Sequence, residues 1–187
     1  RLTPTQLTEI AEAGNLRLTE ETEYQVTAAR KSLLSHIERG TWIYGVSSGF
    51  GPLAAHGIDP ARGEQHQKHL LYHLATGVGP VLSPKQARAV WALRIFQLSR
   101  GYAGISLESL QRIISLYNSG LQPEIPSLGS VGASGDLTPL AHLALEISEG
   151  SPRLEGQSPV IWQEKEALAF VNGTACMTGL AACNQTD

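Results

Sequence analysis

Signals that start and stop helices divide most of this chain into short segments. Thr3-Pro4-Thr5-Gln6 and Ser83-Pro84-Lys85-Gln86 each combine a hydroxyl cap, a proline at the first helical position and a glutamine three residues after the cap. In the segments that follow such signals, apolar residues recur at intervals of three and four. The pattern predicts a mainly α-helical fold. Its helices are expected to start at or near Pro4, Glu20, Glu64, Pro84, Leu107, Leu137 and Asn172.

Three stretches have no helical period. Residues 41–46 are β-branched and aromatic and run into small residues, which predicts a short extended piece followed by a loop. Residues 120–135 contain two prolines and are predicted to form a long loop, of the kind that often carries function. Residues 153–162, with Gly156 in a turn, are predicted to form a small β-hairpin.

The composition favours a single domain over residues 1–187. With 42% hydrophobic and 17% charged residues, the chain can bury a core. The net charge is -3 and no basic run is present, so nucleic acid is not an expected partner. No apolar span is long enough for a membrane and no signal peptide is in view, so we expect a cytoplasmic protein. Because the chain starts at Arg1 and reaches Asp187 without a helix stop signal, we expect a longer protein cut within a helix.

The cysteines and histidines predict neither a disulfide nor a metal site. Cys176 and Cys183 are seven residues apart in a predicted helix, about 10.5 Å along its axis, which is too far for a disulfide. Two free thiols fit a reducing compartment. His66, His69 and His73 are spaced by three and four residues and could share a helix face, but no fourth ligand or acidic partner accompanies them.

Residues 129–142 place three glycines and several small side chains directly before a helical run. Glycine permits close backbone approach, so Ala133-Ser134-Gly135 could fold back until the Gly135 nitrogen meets the Ala133 carbonyl carbon, a geometry that permits cyclisation. The alternative is an ordinary loop in which Ser134 or Asp136 caps the helix that starts at Leu137. A serine nucleophile at a strand-to-helix elbow is disfavoured, because that motif needs glycine where Asp136 stands.

Three motifs follow one another along the chain. They are Tyr44-Gly45-Val46-Ser47-Ser48-Gly49-Phe50-Gly51, the stretch from Val131 to Leu140 around Ala133-Ser134-Gly135-Asp136, and Val171-Asn172-Gly173-Thr174. In order and spacing they closely resemble the aromatic amino acid ammonia-lyase family, which includes histidine, phenylalanine and tyrosine ammonia-lyases. The resemblance implies the N-terminal, prosthetic-group-bearing part of the fumarase/aspartase-like helical fold. It also implies a homotetramer with active sites assembled from three chains.

A further implication of the resemblance is a prosthetic group made from the chain itself, with no external cofactor. Ala133-Ser134-Gly135 is expected to cyclise to a 4-methylidene-imidazol-5-one. The Gly135 nitrogen attacks the Ala133 carbonyl carbon, and two water molecules leave, one from this condensation and one from the Ser134 side chain. Ala and Gly flank the serine because bulk would block ring closure. The ring carries an electrophilic methylene that can capture a substrate amine.

Two further residues match catalytic positions of the family. Tyr44 matches its catalytic tyrosine and is expected to take the β-proton of the substrate. Asn172 matches an asparagine beside the electrophile, where an amide can stabilise negative charge or orient the substrate amine. From the residues alone, Tyr44 could instead be a half-buried aromatic before a turn, and Asn172 an Asn-Gly turn or a helix cap. Ser47-Ser48 departs from the Asn-Thr or Thr-Thr that family members often carry, although it keeps the loop polar.

His73-Leu74 matches the residue pair that differs with substrate in the family, where Ser-His is typical of histidine, Phe-Leu of phenylalanine and His-Leu of tyrosine selectivity. An imidazole at the end of the pocket can hydrogen-bond a para-hydroxyl, and a substrate without that hydroxyl leaves the buried group unpaired. The alternative for His73 is a satisfied histidine on a helix face. Gly51 and Leu137 match pocket-lining positions, but each could equally be a loop glycine or a core leucine.

These assignments imply non-oxidative elimination of ammonia from an aromatic amino acid, L-tyrosine, to give trans-p-coumarate. A tyrosine 2,3-aminomutase, which returns ammonia to the β-carbon, and a histidine ammonia-lyase are the open alternatives within the family. An inactive fragment is the alternative of another class, because the family's arginine for the substrate carboxylate and its second tyrosine lie downstream of Asp187. An isolated chain of 187 residues is therefore expected to show no turnover.

Overall fold

A computed structural model describes residues 2–59, 62–132, 135–154 and 156–186. Eight α-helices in these ranges carry the fold, which confirms the mainly α class predicted from the sequence. They are α1 (Pro4–Ala13), α2 (Glu20–Glu38), α3 (Gly63–Leu74), α4 (Pro84–Leu98), α5 (Leu107–Asn118), α6 (Leu137–Glu146), α7 (Glu166–Val171) and α8 (Ala175–Thr186). Across the same ranges, none of the helices has the length and apolarity needed to span a bilayer.

The helix starts are set by the caps read from the sequence. The Thr3 hydroxyl accepts a hydrogen bond from the Gln6 N–H, while the Gln6 side chain accepts one from the Thr3 N–H. The same reciprocal box forms at Ser83-Pro84-Lys85-Gln86. Thr19 and Ser106 cap α2 and α5 through their hydroxyls. Each cap satisfies a backbone donor that the helix leaves free and is worth about 1 kcal/mol.

Helix α4 is the centre of the fold. Every residue from Ala87 to Ile95 is buried, and the helix packs against α1, α5, α7 and α8. A helix covered on all sides is apolar nearly all round, and Trp91 is its largest side chain, edge-on to Tyr117 of α5 with 5.4 Å between the ring centroids. Arg88 and Arg94 are the exceptions, and both direct their guanidinium groups to backbone carbonyls.

Two short antiparallel strands, β1 (Val78–Val81) and β2 (Pro126–Leu128), form a sheet that the sequence did not predict. Val78 pairs with Leu128 and Val81 with Pro126, with an irregularity between them. The strands are far apart in sequence, so no local turn signal marks their pairing. The sheet joins the chain that leaves α3 to the chain that enters residues 129–142.

The β-hairpin predicted over residues 153–162 does not form among the described residues of this segment, so that prediction is wrong. Among its described residues, only Val160 takes part in a β-bridge, and it pairs in parallel with Ser148. Side chains hold this segment instead. Arg153 pairs with carboxylates of two other segments, and Trp162 Nε1 donates to Ser148 Oγ at 2.6 Å. These partners lie outside the segment, so its own turn residues could not reveal them.

The two cysteines lie buried in α8, and no disulfide joins them. Burial, and then the charge of Asp136, raises the pKa of Cys176 to about 12. The Cys176 thiol is therefore protonated at neutral pH and serves packing rather than chemistry.

Candidate active site

Tyr44 lies in a turn between α2 and a short 3-10 helix over Gly51–Leu53. Its hydroxyl oxygen accepts a hydrogen bond from the Gly51 N–H at 3.0 Å. Its ring meets Phe50 edge-on, with 6.3 Å between the centroids. The side chain is 53% exposed, so its hydroxyl is positioned but still open to a ligand.

Two serine hydroxyls build the turn that carries this tyrosine. Ser47 Oγ accepts from the Ile43 N–H at 2.7 Å, and the buried Ser48 Oγ accepts from the Gly45 N–H at 3.2 Å. The piece over residues 41–46, predicted to be extended, is thus a hydrogen-bonded turn and not a strand. Small hydroxyl side chains favour turns because they bond nearby backbone groups.

Gln67 of α3 attaches this turn to α7. Its Nε2 donates to the Gly45 carbonyl oxygen at 3.3 Å, and its Oε1 accepts from the Leu168 N–H at 3.1 Å. Gly45 has φ +69°, and a Cβ there would lie 2.5 Å from Leu168 Cδ2 and 2.6 Å from Phe50 Cε1. The turn can approach α7 this closely only because residue 45 has no side chain.

Helix α7 places Asn172 directly after its last turn. All six α7 residues are buried, whereas Asn172 is exposed. Glu166 anchors the start of α7 by accepting three hydrogen bonds from neighbouring groups. Arg94 anchors its end, donating from Nε to the Phe170 carbonyl at 2.7 Å and from Nη2 to the carbonyls of Asn172, at 3.0 Å, and Ala169. The backbone of Asn172 is therefore held by α4.

Gly135 packs against Asn172 and Gly173. Its φ is +152°, and a Cβ on it would lie 3.3 Å from Asn172 Oδ1 and 3.5 Å from the Gly173 nitrogen. The next N–H, of Asp136, donates to the Gly173 carbonyl at 2.7 Å. The last residue of the predicted ring tripeptide thus lies beside the predicted asparagine. The other two, Ala133 and Ser134, lie outside the described residues.

Asp136 stands at the N-cap position of α6, but its side chain does not cap that helix. This position agrees with the alternative in which Ser134 or Asp136 is the N-cap residue, although no side-chain hydrogen bond of Asp136 caps the helix and Ser134 lies outside the described residues. The carboxylate turns towards α8 instead, where it is 1% exposed.

Tyr44 and Asn172 line the same cavity, which has a volume of about 300 Å³. Its wall includes two cationic side chains and no carboxylate, so it favours ligands with negative or electron-rich groups. The polar wall residues besides these two are Arg94, Gln97, Tyr102 and Lys165.

Lys165 is the one non-glycine residue with positive φ among those described, at +68°. Its Nζ donates to the Ala103 carbonyl at 2.5 Å. Burial, and then the charges of Arg94 and Arg30, lower the pKa of Lys165 below its usual value. Backbone strain of this kind persists where surrounding contacts hold it, often at functional sites.

The four residues predicted to bind substrate do not line this cavity. His73 is exposed on the last turn of α3, and no hydrogen bond between described residues involves it. Leu74 and Leu137 are half-buried against the core. Gly51 contacts the Tyr44 hydroxyl. Their roles towards a substrate stay predictions.

The chain beyond α3 is nevertheless tied to the glycine-rich stretch. The Gly77 N–H donates to Nε2 of His142, on α6, at 2.9 Å. A Cβ on Gly129 would lie 3.0 Å from Gly77 Cα. The end of α3, which carries His73 and Leu74, therefore lies close in sequence to the point where residues 77 and 129 meet.

A larger cleft, of about 640 Å³, lies between α3 and residues 145–162. It contains none of the predicted catalytic residues, so the smaller cavity is the better candidate for the active site.

His66 stacks on Phe50 with 4.3 Å between the ring centroids. In the part of the chain that the structure describes, no three His, Cys, Asp or Glu side chains gather to hold a metal ion.

Sequence reasoning missed Gln67, Arg94 and Lys165. A signal did exist for the first two. Gln67 falls on the apolar stripe of α3 and Arg94 on that of α4, and a polar residue on a buried stripe must find a buried partner. No local pattern distinguishes Lys165.

Comparisons with known proteins identify the family and the fold. The family model described as aromatic amino acid lyase matches residues 2–187. Human histidine ammonia-lyase is 39% identical over 96% of this chain and 30% of its own length, and tyrosine ammonia-lyase from Cereibacter sphaeroides is 40% identical over 84% and 33%. The structure of Pantoea agglomerans phenylalanine aminomutase superposes with a TM-score of 0.92 at 30% identity, covering 99% of this chain and 38% of that one.

The mainly helical fold of this chain is shared with that aminomutase. The chain belongs to the aromatic amino acid lyase family. It spans about a third of the length of the curated relatives named above.

Proposed function

We propose that this chain belongs to an ammonia-lyase that eliminates ammonia from L-tyrosine to give trans-p-coumarate. The observation that carries the proposal is the shared cavity of Tyr44 and Asn172, with Gly135 packed against the asparagine. In this proposal the base and the amide face one cavity, and the last residue of the proposed electrophile lies against the amide. The family's relatives named as ammonia-lyases support the reaction class.

The residues around Gly135 fit the prosthetic group that Ala133-Ser134-Gly135 is proposed to form. A Cβ at position 135 would lie 3.3 Å from Asn172 Oδ1 and 3.5 Å from the Gly173 nitrogen, and φ is +152°, so this position favours glycine. The Asp136 N–H donates to the Gly173 carbonyl and Asn172 Oδ1 lies against Gly135, so two contacts fix residue 135 relative to residues 172–173. When formed, the group supplies an electrophilic methylene for the substrate amine, which ordinary side chains lack.

Tyr44 is proposed as the base that removes the β-proton. The Gly51 N–H donates to its hydroxyl oxygen at 3.0 Å and so orients the phenol. The Ser47 and Ser48 hydroxyls and the Gln67 bridge fix the turn behind it. Proton transfer needs the base within hydrogen-bond reach of the proton that it removes, and a fixed turn limits how far the Tyr44 hydroxyl can move away from that position.

Asn172 is proposed to orient the substrate amine or to stabilise negative charge with its amide. Its backbone is held by Arg94, so the amide is presented from a rigid anchor. Preorganised donors of this kind stabilise developing charge without reorganisation.

Selectivity for tyrosine is proposed from His73-Leu74. An exposed imidazole without a partner among the described residues is available to a phenolic hydroxyl. Leu74 offers the apolar surface against which an aromatic ring can pack. The C. sphaeroides relative, named as a tyrosine ammonia-lyase, is 40% identical. Gly51 and Leu137 are proposed to contact the substrate outside the cavity that Tyr44 and Asn172 line.

The active form is proposed to be a homotetramer, and the isolated 187 residues to be inactive. Val131 is 87% exposed and Met177 49%, and a Cβ on Gly132 would lie 3.8 Å from Met177 Sδ. These exposed apolar side chains lie in and beside the glycine-rich stretch, and exposed apolar surface of this kind is often buried by another chain or segment. Light scattering of the full-length protein tests the tetramer directly.

Histidine is the second candidate substrate, because human histidine ammonia-lyase matches 96% of this chain at 39% identity. Separation of products after incubation of the full-length protein with tyrosine, phenylalanine or histidine decides between them. We expect coumarate from tyrosine as the fastest reaction. Urocanate as the main product contradicts the selectivity, and β-tyrosine in place of coumarate contradicts elimination. Replacing His73-Leu74 by Ser-His is expected to shift preference towards histidine.

A further inference from the structure

Arg94 is a buried cation that the proposed reaction does not use. It lies on α4, is 4% exposed and takes part in none of the ion pairs between described residues. Burial lowers its pKa to about 10, so the guanidinium is charged at neutral pH. A buried charge costs free energy unless its donors are satisfied. Four acceptors satisfy this one: the carbonyls of Ala169, Phe170 and Asn172 and the side chain of Gln97.

These contacts stabilise the C-terminal end of α7, a helix too short to be stable by itself. Helix α7 has six residues, far fewer than an isolated helix needs. The last carbonyls of any helix have no partner within it, and in α7 two of them, with the Asn172 carbonyl beyond, point to one guanidinium. The planar guanidinium of arginine presents five donors in a fixed fork, whereas lysine has three donors on a single nitrogen, so arginine reaches acceptors spread over several residues more readily.

Gly173, the residue after Asn172, packs directly against the Arg94 guanidinium. A Cβ on Gly173 would lie 2.1 Å from Arg94 Nη1 and 2.9 Å from Cζ. The guanidinium therefore occupies the space where a side chain of residue 173 would stand. Glycine here is required by packing against Arg94, since its φ lies outside the left-handed region.

Arg94 fixes residues 172–173, and these residues contact residues 135–136 of the glycine-rich stretch. The Gly173 carbonyl accepts from the Asp136 N–H at 2.7 Å, and Asn172 Oδ1 lies against Gly135. A continuous set of contacts thus runs from Arg94 through residues 172–173 to residues 135–136.

We propose that Arg94 is a positioning residue that sets the Asn172–Gly173 peptide and, through it, the geometry in which Gly135 closes the ring. This inference rests on the proposed function. The Gly135 nitrogen bonds to the Ala133 carbonyl carbon, and two water molecules leave, one from that condensation and one from Ser134. Arg94 touches none of these atoms.

The test uses the full-length protein with Arg94→Met, Arg94→Lys and Gly173→Ala. The matched control is Arg88→Met, a second buried arginine of α4, which donates to the carbonyls of Ala11 and Tyr117 away from the site. Three quantities are measured: the mass of the peptide containing residues 133–135, the thermal unfolding midpoint, and kcat and KM for tyrosine.

Arg94→Met is expected to leave much of the peptide two waters heavier than in the wild type. In molecules that do carry the ring, kcat falls about 100-fold while KM changes little, as expected when a reacting group is misplaced by about 1 Å. Arg94→Lys restores part of the ring formation. Gly173→Ala, which displaces the guanidinium but keeps the arginine, shows the same loss. Arg88→Met lowers the midpoint and leaves ring formation and kcat near the wild-type values.

Complete ring formation and wild-type kcat in folded Arg94→Met overturn the inference and leave the proposed function intact. If Arg94→Met does not fold, wild-type behaviour of both Arg94→Lys and Gly173→Ala overturns it equally. Equal losses in Arg88→Met and Arg94→Met also overturn it, because they reduce Arg94 to general stability. A wild-type protein with neither ring nor turnover removes the proposed function, and this inference with it.

Discussion

The Asp136 carboxylate accepts a hydrogen bond from the backbone N–H of Met177 at 2.8 Å. Met177 lies in the first turn of α8, where backbone donors have no partner within the helix. Asp136 therefore caps a helix that starts 39 residues later along the chain than itself, while its own N–H binds Gly173. One residue fixes the glycine-rich stretch to α8 and to the chain after α7.

Replacing Asp136 by alanine is expected to destabilise the protein by about 2 kcal/mol, the upper range for losing a helix cap. The substitution also frees the Ser130 hydroxyl, which donates to the other carboxylate oxygen at 2.8 Å. Asp136→Asn keeps an acceptor for the Met177 N–H and should lose less. Urea unfolding measures both, and equal stability of Asp136→Ala and the wild type would rule out this capping role.

Gly45→Ala and Gly40→Ala form a matched pair. Both residues have positive φ, +69° and +70°, so alanine is strained at each by about 1–2 kcal/mol. Only at residue 45 would the new Cβ collide, with Leu168 and Phe50, whereas nothing lies within 4 Å at residue 40. Gly45→Ala should therefore cost about 1–3 kcal/mol more. Thermal unfolding compares them, and equal midpoints would show that the turn does not pack on α7 as described.

Gln67→Met should loosen the turn that carries Tyr44. The substitution keeps the side-chain length but leaves the Gly45 carbonyl and the Leu168 N–H unpaired, at a cost of about 1–3 kcal/mol. Gln65→Met, at an exposed position of the same helix, is the control and should be nearly neutral. Limited proteolysis within residues 41–58 should accelerate only in Gln67→Met. Unchanged cleavage there would contradict the bridge.

Stability should fall as the pH drops below about 6.5, the ordinary pKa of histidine. Burial lowers the pKa of His142, whose Nε2 must be unprotonated to accept from the Gly77 N–H, and burial also lowers that of His66. The unfolded chain thus binds more protons below pH 6.5, so the stabilisation is complete above that pH and is lost towards the lower folded pKa.

His142→Gln keeps an acceptor for Gly77 but does not titrate. It should show a shallower loss of unfolding free energy between pH 7.5 and 5.5 than the wild type, with the remainder removed by His66→Gln. An unchanged slope in His142→Gln would show that this imidazole is protonated equally in both states.

Local signals were enough to predict most of the helices. The caps at Thr3, Thr19, Ser83 and Ser106 act on neighbouring residues, so the sequence around each contains all the partners involved. The strands could not be predicted in the same way, because residues 78–81 pair with residues 126–128.

In the candidate site, too, local motifs identify some residues, whereas others depend on partners distant in sequence. Tyr44, Gly135 and Asn172 were singled out through motifs; in the structure Tyr44 and Asn172 line one cavity, and Gly135 packs against Asn172. The residues that fix them, Gln67 and Arg94, act across distances of 101 and up to 78 residues along the chain. Which helix face is buried, and against what, is settled only by tertiary packing.

The central claim is that Ala133, Ser134 and Gly135 become one electrophilic ring in the full-length protein. Accurate mass measurement of the denatured protein, followed by mapping of the peptide that contains residues 133–135, tests it without any substrate. We expect a mass two water molecules below that of the encoded sequence, with the deficit confined to this peptide and absent from Ser134→Ala. A peptide of unmodified mass in the active wild-type protein would contradict it.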